Sequence, residues 1–97
     1  MSSRQYQFTH NADPKKVTDR LYTDLQNQAR ENGMTLTRIA DREFSMKRTG
    51  ADLTFTVTET HVSITADLSF FVEPFRGKIE AGLNAGMPKM LRECERG

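Results

Sequence analysis

The chain has 97 residues, with 14 Lys and Arg against 13 Asp and Glu and a formal net charge of +1. That length supports one hydrophobic core, so a single domain over residues 1–97 is expected. The near-zero charge balance argues against strongly electrostatic binding to nucleic acid or a membrane surface, and no apolar run approaches the ~18 residues of a bilayer span.

The start, Met1-Ser2-Ser3-Arg4-Gln5, is polar and has no apolar signal-peptide core. The one cysteine, Cys94, cannot form an internal disulfide or a cysteine-based metal site. Together these make the cytoplasm the expected compartment.

Tyr6, Phe8 and His10 alternate with Gln5, Gln7 and Thr9, which predicts a short half-buried strand over 5–10. Asp13-Pro14 is a helix start: the carboxylate caps free N–H groups, and proline suits the first helical position. Val17, Leu21, Leu25 and Ala29 then recur every four residues, beside Tyr22 and opposite a charged face. Asn32-Gly33 stops this helix, since glycine accepts the left-handed conformation.

From Met34 the pattern becomes Thr-, Phe- and Val-rich, and four strands are predicted. In the first, over 34–40, Leu36 and Ile39 do not share parity, and Asp41 is the corner that follows. The second, 42–48, turns Phe44 and Met46 to one side and Glu43, Ser45 and Lys47 to the other. The third, 52–58, has Leu53, Phe55 and Val57 inward and threonines outward. Glu59-Thr60 joins it to the fourth, 61–70, without the glycine or asparagine that favours primed turns. That strand buries Val62, Ile64, Ala66, Leu68 and Phe70, and leaves its other face wet or covered by a partner.

Glu73-Pro74 opens the last helix, whose stripe is Phe75, Ile79, Leu83, Met87, Met90 and Cys94, with Leu91 at the margin. Gly82 and Gly86 fall on this stripe, which suggests close approach to the sheet. Pro88 should kink or interrupt the helix.

The order β-α-β-β-β-β-α predicts an α+β protein with a five-stranded antiparallel sheet, strand order 1-5-4-3-2, and both helices on one face. This two-layer plan resembles the helix-grip arrangement of the TATA-binding-protein-like fold group. Its expected core is Phe8, Leu21, Leu25, Phe44, Phe55, Val57, Ile64, Leu68, Phe75, Ile79 and Leu83.

The chemistry-bearing residues do not assemble into a reaction centre. His10 and His61 lack metal-ligand spacing, and Cys94 lies on an apolar stripe. Gly77, Gly82 and Gly86 make no phosphate loop. Arg38, Arg42, Lys47 and Arg48 form a basic cluster diluted by Asp41 and Glu43, better read as a solvated face than as a nucleic-acid contact. No catalysis, metal or cofactor is expected. Phe71 breaks the strand parity and should face outward unless a bulge intervenes, either shielding the strand-to-helix corner or, with Pro74, Arg76 and Lys78, offering a contact for another chain or an apolar surface.

Pro74-Phe75-Arg76-Gly77-Lys78-Ile79-Glu80, after the alternating Val62, Ile64, Ala66 and Leu68, resembles the small polyhydroxyalkanoic acid system protein family. The strand ending in His10 before the first helix resembles the same family's start, and the likeness is strongest over residues 62–83. The resemblance implies a bacterial storage-polyester context and brings no catalytic residues. The expected function is a non-enzymatic accessory protein that binds the polyhydroxyalkanoate granule or a granule protein, with a homodimer formed through the bare second strand and Phe71. The alternative is a carrier of a small or lipid-like ligand, with a pocket between the sheet and the glycine- and methionine-bearing last helix.

Overall fold

The computed structural model describes residues 2–68 and 76–96. Its elements are β1 (Ser2–Thr9), α1 (Pro14–Asn32), β2 (Thr35–Ala40), β3 (Glu43–Arg48), β4 (Ala51–Val57), β5 (His61–Leu68) and α2 (Arg76–Glu95). The five strands form one sheet in the order β1-β5-β4-β3-β2, with every neighbouring pair antiparallel.

Strict alternation gives the sheet its two faces. In β5, Val62, Ile64, Ala66 and Leu68 are buried while the intervening residues stay half-exposed. In β4, Leu53, Phe55 and Val57 repeat the pattern. Leu53, Phe55, Val57, Val62, Ile64 and Ala66, with Phe44 and Met46 of β3, share one hydrophobic cluster with Val17, Leu21, Leu25 and Ala29 of α1 and Met87, Met90 and Leu91 of α2. Both helices therefore contribute their apolar stripes to the same core.

The ends of α1 follow from its sequence. Asp13 stays extended, and its Oδ1 accepts the Lys15 N–H at 3.0 Å. Gly33 takes the left-handed conformation at φ 64°, where a side chain would be strained, and its N–H reaches the Ala29 carbonyl. Tyr22 stacks on Phe44 with ring centroids 5.3 Å apart. The Arg38 guanidinium covers this pair, 5.9 Å from the Tyr22 ring and 5.6 Å from that of Phe44.

α2 is tied along β1. Tyr6 Oη and Arg4 Nη1 both donate to Glu80 Oε1, at 2.7 and 2.9 Å. At the other end, Asn11 N–H donates to Glu95 Oε2 at 2.7 Å. Arg20 of α1 reaches Glu93 of α2 at 3.3 Å, a solvent-exposed pair that adds little energy.

A second cluster of bonds gathers around His10, which is 4% exposed. Its backbone N–H donates to the Thr60 carbonyl at 2.8 Å. The Ala12 N–H donates to Nδ1 at 3.1 Å, so Nδ1 is the acceptor and the ring proton sits on Nε2. Nε2 then donates to the Thr58 carbonyl at 2.9 Å. The His61 N–H donates to the side chain of the same residue, Thr58 Oγ1, at 3.0 Å. No non-glycine residue among those described has a positive φ, so Glu59-Thr60 is not a primed turn. The threonine hydroxyl closes the hairpin in its place.

Several expectations need correction. The first strand starts at Ser2, and His10 lies beyond its end. The mismatched parity of Leu36 and Ile39 arises from a bulge between Arg38 and Ala40, which puts an extra residue in β2. Gly82 and Gly86 are exposed, and a Cβ built on either meets nothing within 4 Å. Each precedes a stripe residue, so it sits about 100° round the helix from Leu83 or Met87, at the flank of the stripe.

α2 also runs unbroken through Pro88. The carbonyl deprived of a donor belongs to exposed Asn84, where water can serve. Leu91, expected at the margin, is only 2% exposed, whereas Phe8 and Leu83 are partly buried at the core's edge. Phe70, Phe75 and the Ile79 side chain lie outside the described residues.

Two substitutions test this packing by chemical denaturation. Leu25→Ala should lower the unfolding free energy by about 2–5 kcal/mol. Gly86→Ala should raise it by about 0.5–1 kcal/mol, because open space and a helical backbone remove any cost of the added methyl. A loss of stability in the second variant would show that α2 packs through its glycines.

Candidate functional site

The inner face of the sheet is filled by the core, and the outer face is polar throughout β1, β3, β4 and β5. Their registers align its side chains in transverse rows. Gln5, Thr65, Thr54, Ser45 and Thr37 stand opposite one another and cross all five strands. On one side of this row run Asp67, Asp52, Lys47 and Thr35, with Lys47 Nζ 3.7 Å from Asp52 Oδ2. On the other run Gln7, Ser63, Thr56 and Glu43.

Within the central row, Thr54 and Thr65 are half-exposed. Ser45 differs. It is only 4% exposed, and its Oγ has no hydrogen-bond partner. Its neighbours Phe44 and Met46 point into the core, so alternation directs the Ser45 side chain to the outer face.

The two edges of the sheet differ in length and cover. β1 is eight residues long, and the inward-facing Arg4 and Tyr6 are bonded to α2. β2 has six residues, and all but Leu36 are exposed. Ile39 in its bulge is 54% exposed, the exposed large hydrophobic side chain among the described residues. Arg38 does not guard this edge from outside. It folds inward and donates to the Ala40 and Asp41 carbonyls at 3.4 and 2.6 Å, closing the bulged end of the strand.

Of the four residues expected to form a contact surface, Phe71 and Pro74 lie outside the described residues, as does the Arg76 side chain. Lys78 is exposed in the first turn of α2. The basic cluster of the first hairpin is dispersed by local bonds: Lys47 faces Asp52, and Arg48 Nη1 donates to the Asn32 carbonyl at 3.1 Å. Only Arg42 keeps its guanidinium out of these contacts, which leaves no converging set of donors for a phosphate.

The remaining chemistry-bearing groups are engaged or muted. His10 is committed to the hairpin, and His61 Nδ1 lies 2.8 Å from Thr60 Oγ1. No group of three His, Cys, Asp or Glu side chains among the described residues is placed to hold a metal ion. Cys94 borders a shallow open cleft between the helices, lined by Lys16, Asp19, Arg20, Thr23 and Glu93. Burial pushes its thiol above the ordinary range, and Arg20 and Lys16 only partly offset this, so little thiolate forms near neutral pH.

The features that suggested a ligand cavity point elsewhere. Met87 and Met90 fill the core at 6% and 3% exposure, and Gly82 and Gly86 face away from it. No described helix is long and apolar enough to cross a membrane.

Sequence reasoning found the polar outer face from its alternation. It missed the buried Ser45 hydroxyl, because burial on an open face depends on the size of the side chains around a small one. It also missed the His10 clamp in detail, although a strand-end histidine before a helix start is its visible sign.

No curated protein and no solved structure matches the chain. A family model described as "Putative polyhydroxyalkanoic acid system protein" matches residues 6–91. The match takes in the second half of β1, the whole of α1 and of β2 to β5, and most of α2. The chain therefore belongs to this polyhydroxyalkanoic acid system protein family.

Proposed function

We propose that this protein is a non-enzymatic accessory factor of polyhydroxyalkanoate metabolism, cytoplasmic, that binds the surface of the storage granule or a protein on it. The observation that carries the reading is the family match over residues 6–91. Three features support it. The described histidines are hydrogen-bonded within the fold, the thiol is pushed toward its protonated form, and a broad polar sheet face is left uncovered by the described helices. Such a chain has more surface to offer than chemistry. The two-layer arrangement is read as helix-grip-like, and its strand-to-helix corner, with Phe71, Pro74, Arg76 and Lys78, as a further contact region.

Self-association belongs to the same reading. Among the described residues β2 is an edge strand paired only with β3, and it carries the exposed Ile39, so its other side offers backbone groups to a second copy. The bulge and Arg38 limit pairing to the straight part of the strand, Thr35 to Thr37.

The test is localisation of the fluorescently tagged chain in polyester-accumulating bacteria, with and without granules. The protein should collect on granules as they form and stay dispersed without them. Dispersal under both conditions would overturn the proposal. In sedimentation at micromolar concentration the wild type should run as a dimer, with Phe71→Ser shifted toward monomer. A wild-type monomer would remove self-association from the account.

A further inference from the structure

We propose that the outer face of the sheet is the polymer-binding surface, and that its hydroxyl row Thr37, Ser45, Thr54 and Thr65 donates hydrogen bonds to the ester carbonyls of a polyhydroxyalkanoate chain. This rests on the granule reading above and names the atoms that would make the contact.

A chain of esterified hydroxyalkanoic acids carries a carbonyl acceptor in every repeat, joined by short aliphatic segments. It has no hydrogen-bond donor and no charge along its length. A protein surface complementary to it must supply donors at regular intervals, small apolar groups between them, and no fixed charge at the centre.

The central row has this composition. Each serine or threonine hydroxyl brings one O–H donor, and each threonine adds a methyl group. Gln5 extends the row across β1 with an amide that has two donors. Neighbouring strands lie roughly 4.8 Å apart, so the five positions repeat evenly over roughly 19 Å. The charged side chains stand in the flanking rows, where Asp67, Asp52 and Lys47 occupy one side and Glu43 the other.

Threonine also favours strands on its own account, so a row of threonines alone would say nothing of a ligand. Ser45 supplies the second observation. It is a weaker strand former, it stands on β3 between Thr54 and Thr37, and its hydroxyl is buried without a partner. Folded proteins rarely leave such a group unsatisfied. Both described helices pack on the other face, so among the described residues it is neighbouring side chains that shut Ser45 Oγ away from the surface. A change of their rotamers opens it to an acceptor laid along the row, and a polyester carbonyl is an acceptor of that kind.

The experiment measures adsorption of the purified full chain to protein-free poly-3-hydroxybutyrate particles and to polystyrene particles of equal area. Wild type should bind the polyester at least tenfold more tightly than polystyrene, which offers no acceptor. Thr54→Val/Thr65→Val keeps the branched shape but removes two donors. It should lose at least tenfold on the polyester while its melting temperature stays within a few degrees. Thr54→Ser/Thr65→Ser retains the donors and should keep most of the binding. Ser45→Ala, which removes one donor without enlarging any side chain, should bind at least threefold more weakly.

Retained or strengthened polyester binding by the valine pair and by Ser45→Ala would overturn the proposal, as would a wild-type preference for polystyrene. The tagged chain in cells separates the two levels. If wild type and the valine pair both coat granules equally, the face assignment fails and the granule reading stands. If wild type stays dispersed, the granule reading fails and takes this proposal with it.

Discussion

The placement of β1 in the sheet depends on how its end meets the β4–β5 hairpin, and His10 sits at that junction. Its backbone N–H and Nε2–H reach the Thr60 and Thr58 carbonyls, and its Nδ1 takes the Ala12 N–H as the chain turns toward α1. One side chain thus anchors a strand end, a hairpin and the approach to a helix. The next residue, Asn11, is bonded to Glu95 near the end of α2, so four elements meet within two positions of sequence.

The consequence is a fixed register. With Thr9 opposite His61, the inward residues Tyr6 and Phe8 fall opposite Ile64 and Val62. A slip of one residue would turn both aromatic side chains to solvent and bring Gln5 and Gln7 onto the core. The same register sets Gln5 beside Thr65 and completes the polar row across the outer face. The inner face then closes under α1 and α2, and the outer face remains an unbroken polar platform. A member of a polyhydroxyalkanoic acid system family thus presents a two-sided sheet, with the described helices packed on one side and polar side chains on the other.

Much of this was legible from local patterns. The alternation of Val62, Ile64, Ala66 and Leu68 assigns β5 and its buried face, because the period of a strand leaves no other reading. The Asp13-Pro14 start and Gly33 stop bracket α1 because both ends depend on backbone chemistry specific to those residues. What was not legible depends on neighbours distant in sequence. The bulge at Ile39 requires knowing what β3 does opposite it. The outward turn of Gly82 and Gly86 depends on the rotation of α2, set by Met87, Met90 and Leu91 entering the core together. The candidate site was legible only as a class of surface. Its alternating polar residues were evident, whereas the unpartnered Ser45 hydroxyl emerges only from side-chain packing.

The clamp itself is the part of the account most open to direct measurement. Thr58 takes the His61 N–H with its hydroxyl while its carbonyl accepts from His10, so the position of one residue serves both bonds and couples the two side chains. A double-mutant cycle of His10→Ala and Thr58→Val, read by equilibrium unfolding in urea, isolates that dependence. The account predicts that either change alone lowers stability by about 1–3 kcal/mol, and that the second adds little once the first is made, a coupling of about 1 kcal/mol or more. Losses that simply add would contradict it, and would mean that the hairpin and the strand end are held independently.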